Sequence, residues 1–309
     1  MSTSAQALAI VQPVSVTDAM LISTNVAETD YPEWNGSTTY ALGDRVILTS
    51  THKVYESLQA GNLNKNPATE PTWWIEVSPT NRWKAFDTSN TTQTVTDGGS
   101  PPTITYTLRP GQAVNALAVL NVTNCTELRV QMVDPVYGNV YDKKVDFTAL
   151  PLAPTWWAWF FGQRRAPTQS VMLDLPAFPN ADLTLTFTGG VELAVGVIMF
   201  GQQQRYGLGV RYGARVGIQD YSRKETNEFG DTTLIRRAFA KRARFDMLIE
   251  RGEVDPLQNY LASIRAVPCL WVGTNEYEAT VVYGFYKNFD ILISYPEYAD
   301  CELEIEGLT

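Results

Sequence analysis

Leu183-Thr184-Leu185-Thr186-Phe187-Thr188 alternates apolar and polar side chains at every step. Successive side chains of a strand point to opposite faces, so three apolar residues share one face and three threonines the other. The stretch therefore reads as a half-buried strand, and similar runs lie on both sides of it. Residues 103–108, 114–122, 127–133, 140–147, 171–175 and 193–200 are short, mostly apolar or alternating runs. Turn-forming clusters separate them: Asp97-Gly98-Gly99-Ser100-Pro101-Pro102, Pro110-Gly111, Tyr137-Gly138-Asn139, Pro179-Asn180 and Gly189-Gly190. Seven short strands at this spacing predict a β-sandwich, jelly-roll-like, over residues 81–205.

Downstream the pattern changes. Residues 215–222 and 232–249 read as the arms of a long β-hairpin around 225–231, the second arm as one strand. Asp255-Pro256 reads as a helix start, a capping carboxylate followed by Pro at the first helical position. Val254, Leu257, Tyr260, Leu261 and Ile264 then make one apolar stripe at helical spacing, and Pro268 closes the helix. Four strands are predicted after it, at 269–272, 280–286, 290–295 and 301–308. Residues 206–309 are thus a strand-rich domain with one helix.

Upstream, residues 1–30 hold two short, mostly apolar runs, 7–14 and 20–26, which read as one or two strands pairing with a later domain or with a neighbouring subunit. Residues 31–80 read as a separate small module with strands at 44–49, 53–58 and 73–77 and a loop rich in Asn, Gly and Pro at 60–72. So short a segment buries little surface, so its Trp and Tyr rings must supply much of its core.

The 309 residues are 44% hydrophobic and 18% charged, which suits two or three globular domains rather than long disorder. Net charge is −9, shared evenly: residues 1–205 carry 12 basic and 17 acidic side chains, residues 206–309 carry 12 and 16. Neither half is the basic footprint of a sequence-specific nucleic-acid binder. No apolar run is long enough to span a membrane, and the first residues lack the basic start of a secretory signal. Cys125, Cys269 and Cys301 are few, odd in number and far apart, which predicts reduced, buried thiols rather than disulfides or a zinc site.

Few residues invite chemistry. His52 is the one histidine, in a polar link between Thr51 and Lys53, and is expected to be a solvated loop residue. A catalytic zinc needing two histidines is excluded on count. Asp87, Asp134, Asp142 and Asp174 are scattered carboxylates with no spacing that singles out an acid and its partner. Gly207, Gly209, Gly213 and Gly217 lack phosphate-loop spacing and read as a hinge. No catalytic residue, metal ligand or cofactor is assigned, and the chain is expected not to be an enzyme. Trp156-Trp157-Ala158-Trp159-Phe160-Phe161, followed by Gly162-Gln163-Arg164-Arg165, reads as core or subunit packing, with a dip into a membrane interface as the alternative. Arg236, Arg237, Lys241, Arg242 and Arg244 form a basic cluster along the predicted hairpin strand. Glu302, Glu304 and Glu306 alternate with Leu303 and Ile305, so they share one face and complement that cluster. Subunit-interface or intrasheet pairing follows; the alternative is a lumen lining near passing DNA.

Two resemblances extend this reading. Trp34, Thr38-Thr39-Tyr40-Ala41-Leu42-Gly43-Asp44-Arg45-Val46-Ile47, Val54-Tyr55-Glu56-Ser57, Asn66-Pro67 and Trp73-Trp74-Ile75-Glu76-Val77 together resemble the chitin-binding modules of carbohydrate-binding families 5 and 12. That implies a compact three-stranded unit. Its rings Trp34, Tyr40, Tyr55, Trp73 and Trp74 either contact glycan or serve as core. Leu58 and Gln59 stand where chitin-binding relatives usually carry Trp.

The C-terminal hundred residues resemble distal-tail proteins of long-tailed bacteriophages. The resemblance is carried by Asp220-Tyr221-Ser222-Arg223-Lys224-Glu225, the helix at 254–265 with Pro268 and Trp271, Val282-Tyr283-Gly284-Phe285-Tyr286, and Cys301-Glu302-Leu303-Glu304-Ile305-Glu306-Gly307-Leu308. With Ile10-Val11-Gln12-Pro13, Thr17-Asp18-Ala19-Met20 and Asn81-Arg82-Trp83-Lys84, the whole chain is similar to prophage tail proteins of proteobacterial siphophages. This implies a tail-tube-like β-sandwich with one helix at the C-terminus, assembling as a ring, sixfold by resemblance with threefold open. The expected location is the virion tail tip or baseplate, after synthesis in the host cytoplasm. The expected partners are further copies of the chain, the tail tube, other baseplate proteins and, through weak contacts, host cell-surface polysaccharide. A carbohydrate-binding accessory or adhesion protein without catalytic activity is the alternative.

Overall fold

The structure is a computed structural model that describes residues 7–148, 150–151, 155–211, 213–226, 229, 231–274 and 277–308. It is mainly β, and one antiparallel sheet runs through most of it. Along its main path the sheet orders the strands Gly138–Asp146, Ala116–Asp134, Asp182–Tyr206, Leu8–Pro13, Cys269–Val272, Val281–Leu292, Tyr298–Gly307 and Phe239–Glu250. The N-terminal strand Leu8–Pro13 is therefore the joint between sandwich and C-terminal domain. It pairs on one side with Asp182–Tyr206 and on the other with Cys269–Val272, within its own chain. Its alternation serves two layers: Leu8 and Ile10 enter the C-terminal core, while Ala9 and Val11 join Ala116, Ala118, Val197, Leu270 and Val272 on the opposite face. The second N-terminal run forms Leu21–Thr24, which pairs with Thr103–Leu108.

The sandwich has fewer and longer strands than the turn signals predict. The runs at 114–122 and 127–133 belong to one strand, Ala116–Asp134, and those at 183–188 and 193–200 to Asp182–Tyr206. The breaks are irregularities inside paired strands. Register shifts occur around Cys125, and Asn121, Asn124 and Glu192 take positive φ. Gly189 marks a close approach rather than a turn: a Cβ there would stand 2.2 Å from the Asn124 carbonyl oxygen. Both halves of each long strand feed one core, in which Leu117, Val119, Leu128 and Val130 meet Leu185, Phe187, Val195 and Phe200.

In the C-terminal domain the helix is Val254–Ser263, and it presses Leu257, Leu261 and Ile264 onto Phe245, Met247, Trp271 and Leu303. It begins two residues before the predicted start, with Val254 rather than Pro256 as the first helical residue. Glu253 occupies the capping position without a side-chain capping bond, and Asp255 lies inside the first turn. Three strands follow instead of four, because 280–286 and 290–295 lie largely in one strand, Val281–Leu292, with a register shift between Tyr286 and Asn288. The predicted hairpin is present but its second arm is broken. Arg215–Asp220 pairs with Phe239–Glu250, and Arg223–Thr226 pairs with Thr232–Ile235. Residues 236–238 face the two-residue link 221–222 in between, one extra residue in the manner of a bulge. Of the predicted tip, residues 227, 228 and 230 lie outside the described residues.

The small module is the expected three-stranded sheet: Arg45–Leu48, Lys53–Ser57 and Trp74–Pro79, with a two-residue pairing of Thr39–Tyr40 and Asn62–Leu63 beside it.

Candidate functional site

The five aromatic residues of the module do come together, but largely as its core. Tyr40, Tyr55 and Trp74 are buried with Val46 and Leu48, and Trp74 is only 2% exposed. Tyr40 meets Trp74 edge-on with ring centroids 5.2 Å apart, and the Trp74 indole N–H donates to the Lys65 carbonyl at 2.8 Å. Stacking on a sugar needs an open ring face. The assignment of Tyr40, Tyr55 and Trp74 as glycan contacts is therefore corrected: a three-stranded module without them would have almost no interior. Trp34 and Trp73 pack against this core and stay half-exposed. Trp73 has the Lys65 ammonium 5.6 Å from its ring centroid, its carbonyl accepts from the N–H of exposed Leu58 at 2.8 Å, and Gln59 donates to the Thr72 carbonyl at 2.9 Å.

His52 is not a solvated loop residue. It sits at the turn between the first two module strands with φ +56°, and its side chain is 21% exposed. Nδ1 lies 2.9 Å from Glu28 Oε1 and Nε2 2.6 Å from Asp18 Oδ1, while the ring stacks on Trp83 at 4.2 Å. Glu28, 6% exposed, also accepts from the Thr80 hydroxyl at 2.8 Å and faces the Arg82 guanidinium at 3.5 Å. Each ring nitrogen thus faces a carboxylate from a different part of the N-terminal segment. The cluster joins the N-terminal segment, the small module and the start of the sandwich. No local sequence signal announces it, because Asp18, Glu28 and His52 are distant in the chain.

The basic and acidic clusters meet in part. Phe239–Glu250 and Tyr298–Gly307 are neighbours, and Arg242 pairs with Glu304 and Arg244 with Glu302. Glu306 accepts from the Tyr221 hydroxyl at 3.0 Å and lies 3.9 Å from Lys287 Nζ. The Arg242 bond holds the Glu304 carboxyl below its ordinary pKa. The five basic residues do not form one track. Lys241 is on the opposite face from Arg242 and Arg244 by strand alternation, and Arg236 and Arg237 lie in the break between strands. Lys241 points into a cleft of about 410 Å³ between the two domains, also lined by Arg165, Gln169 and Tyr283. Its ammonium donates to Gln169 Oε1 at 3.2 Å, and burial lowers its pKa.

The helix Trp156–Phe161 contradicts the core half of the core-or-subunit-packing expectation, for none of its residues is buried, which leaves subunit packing and the membrane interface as the readings of it. The scattered carboxylates each have a local partner. Asp134 caps the turn at Val136 and Tyr137, Asp142 binds Arg129, Asp174 binds Lys143, and Asp87 accepts from Thr92. The three cysteines are buried, and burial pushes the Cys125 thiol up to about 11 and those of Cys269 and Cys301 to about 12, so they stay protonated at neutral pH. Among the described residues no His/Cys/Asp/Glu group of metal-binding size converges, and no helix is long and apolar enough to cross a membrane. No family model matches the chain, and no curated protein or solved structure matches it significantly.

Proposed function

We propose that this chain is a structural component of a bacteriophage tail tip or baseplate, assembling as a ring that joins the tail tube to the host-adsorption apparatus. The observation that supports this most is the hairpin of Arg215–Asp220, Arg223–Thr226 and Thr232–Ile235. Val216, Ile218, Leu234 and Ile235 are exposed on it, and its strands are nearly bare of burial. An arm with so little cover of its own is explained by a neighbour that covers it. The outer edge of Arg215–Asp220 also has no strand beside it among the described residues, and a closed ring hides such edges. The described groups offer in-sheet ion pairs and a packed joint, which suit a load-bearing part.

Sixfold closure is the reading that the resemblance favours, with threefold second. The small module faces outward in this proposal. Any glycan contact falls to Trp73 and its surroundings, a platform so small that it depends on repetition around the ring; linking weak sites raises avidity by ~10²–10⁴. The test is the mass of the purified full chain by native mass spectrometry together with electron microscopy. Closed rings are expected. Substituting Ile218→Asp and Leu234→Asp on the arm should leave the monomer folded and abolish them.

A further inference from the structure

We infer that the helix Trp156–Phe161 is a lipid-surface wedge, seating at the headgroup boundary of an anionic bilayer with Arg164 and Arg165 beside it. The exposures of its rings are extreme: Trp156 81%, Trp157 72%, Trp159 46%, Phe160 69% and Phe161 72%. The helix lies beyond a two-stranded ladder in which Leu150–Pro151 pairs with Arg164–Arg165 and, among the described residues, with no other strand; Arg165 also lines the rim of the cleft that holds Lys241. Its turn is preformed. The Thr155 hydroxyl accepts from the Ala158 N–H at 3.3 Å, and the Gly162 N–H donates to the Ala158 carbonyl at 2.7 Å. That exit needs glycine, because a Cβ at 162 would stand 2.3 Å from the Ala158 oxygen.

Two observations choose lipid over a protein partner. The first is the arc of the rings. At about 100° per residue, the five spread over roughly 200°, with Ala158 on the remaining side. A protein groove that takes one helix face covers a stripe of roughly half that width. An occupant that receives all five must close around the helix, as lipid does. Three of the five are indoles, whose apolar face and N–H edge suit the headgroup boundary.

The second observation is charge. Residues 147–173 contain no Asp or Glu and two Arg, in a chain whose net charge is −9. Arg164 and Arg165 are exposed and form no ion pair among the described residues. Guanidinium groups directly behind an apolar tip meet anionic headgroups when the tip inserts. The wedge does not depend on the ring: a monomer carries it complete.

The test is flotation of the full chain with phosphatidylcholine vesicles, and with vesicles carrying one third phosphatidylglycerol, over a concentration series that spans monomer and assembly. Binding to the anionic vesicles at least tenfold stronger than to the neutral ones is expected, with a blue shift of tryptophan emission. The variant Trp156→Ser/Trp157→Ser/Phe160→Ser and, separately, Arg164→Glu/Arg165→Glu should each lose at least tenfold in that binding while keeping the parent's circular dichroism. Failure of the full chain to float with anionic vesicles overturns the inference. So does flotation that both variants retain. Absent flotation together with self-association lost in the aromatic variant makes the helix a contact between copies instead.

Discussion

In the small module the rings of Tyr40, Tyr55 and Trp74 close on one another, whereas in the helix Trp156–Phe161 three Trp and two Phe stand in solvent. Both regions are rich in the same residue type. In the module Tyr55 and Trp74 lie on one face of the three-stranded sheet, and Tyr40 from the adjoining two-stranded ladder closes on them. In the helix five of six consecutive residues are aromatic, so they radiate, and among the described residues no second layer buries them. Aromatic content alone therefore says nothing about exposure; spacing and a facing element decide it. The module's rings carry stability, and the helix's rings are free to carry contact.

Substitution is the most direct way to break this comparison. Trp74→Ala should destabilise the module by ~3–5 kcal/mol, the usual cost of removing a large buried ring. Trp157→Ala should stay within about 0.5 kcal/mol of the parent, as exposed substitutions do. Chemical denaturation followed by circular dichroism reads both, and equal losses at the two sites would sink the distinction.

The joint at His52 sharpens it next, since it decides how firmly the module is held to the body. Glu28→Gln removes a buried charge that serves His52, Thr80 and Arg82, and should cost about 1–3 kcal/mol. Asp18→Asn removes the other, 70% exposed carboxylate and should cost no more than ~1 kcal/mol. Limited proteolysis around residue 81 should accelerate in the first variant alone; equal protection in both would show that the cluster does not hold the module.

A smaller effect is expected from the sheet ladder of Arg242 and Glu304, where packing of rings plays no part. The folded pKa of Glu304 is depressed by its Arg242 bond, so its contribution is complete above the ordinary carboxylate range and disappears as pH falls through the folded value, which lies below that range. Glu304→Gln should therefore flatten slightly the acid side of the melting-temperature profile and leave neutral pH almost untouched. An unchanged acid limb would mean that the pair contributes nothing to the fold.

Much of the strand content was legible because alternation is a local signal: at 103–108 the predicted and observed strands coincide, and 183–188 is correctly extended, as the first part of Asp182–Tyr206. Strand continuity was not. Gly189-Gly190 carries the signature of a turn, yet the contact that demands glycine is with Asn124, far away in sequence. The helix stripe from Val254 to Ile264 was legible for the same local reason, while its cap was misplaced because the preceding 3₁₀ turn Arg251–Glu253 runs directly into it. The partners of His52 were invisible, since they arrive from another segment. The Arg242–Glu304 and Arg244–Glu302 pairs were partly legible: alternation put the glutamates on one face, but only strand order brings the arginines beside them.

The central claim, a ring-forming tail component, is tested most directly by the native mass and electron micrographs of the purified full chain over a wide concentration range. The account predicts closed rings of six copies, or of three. A uniform monomer at every concentration would contradict it.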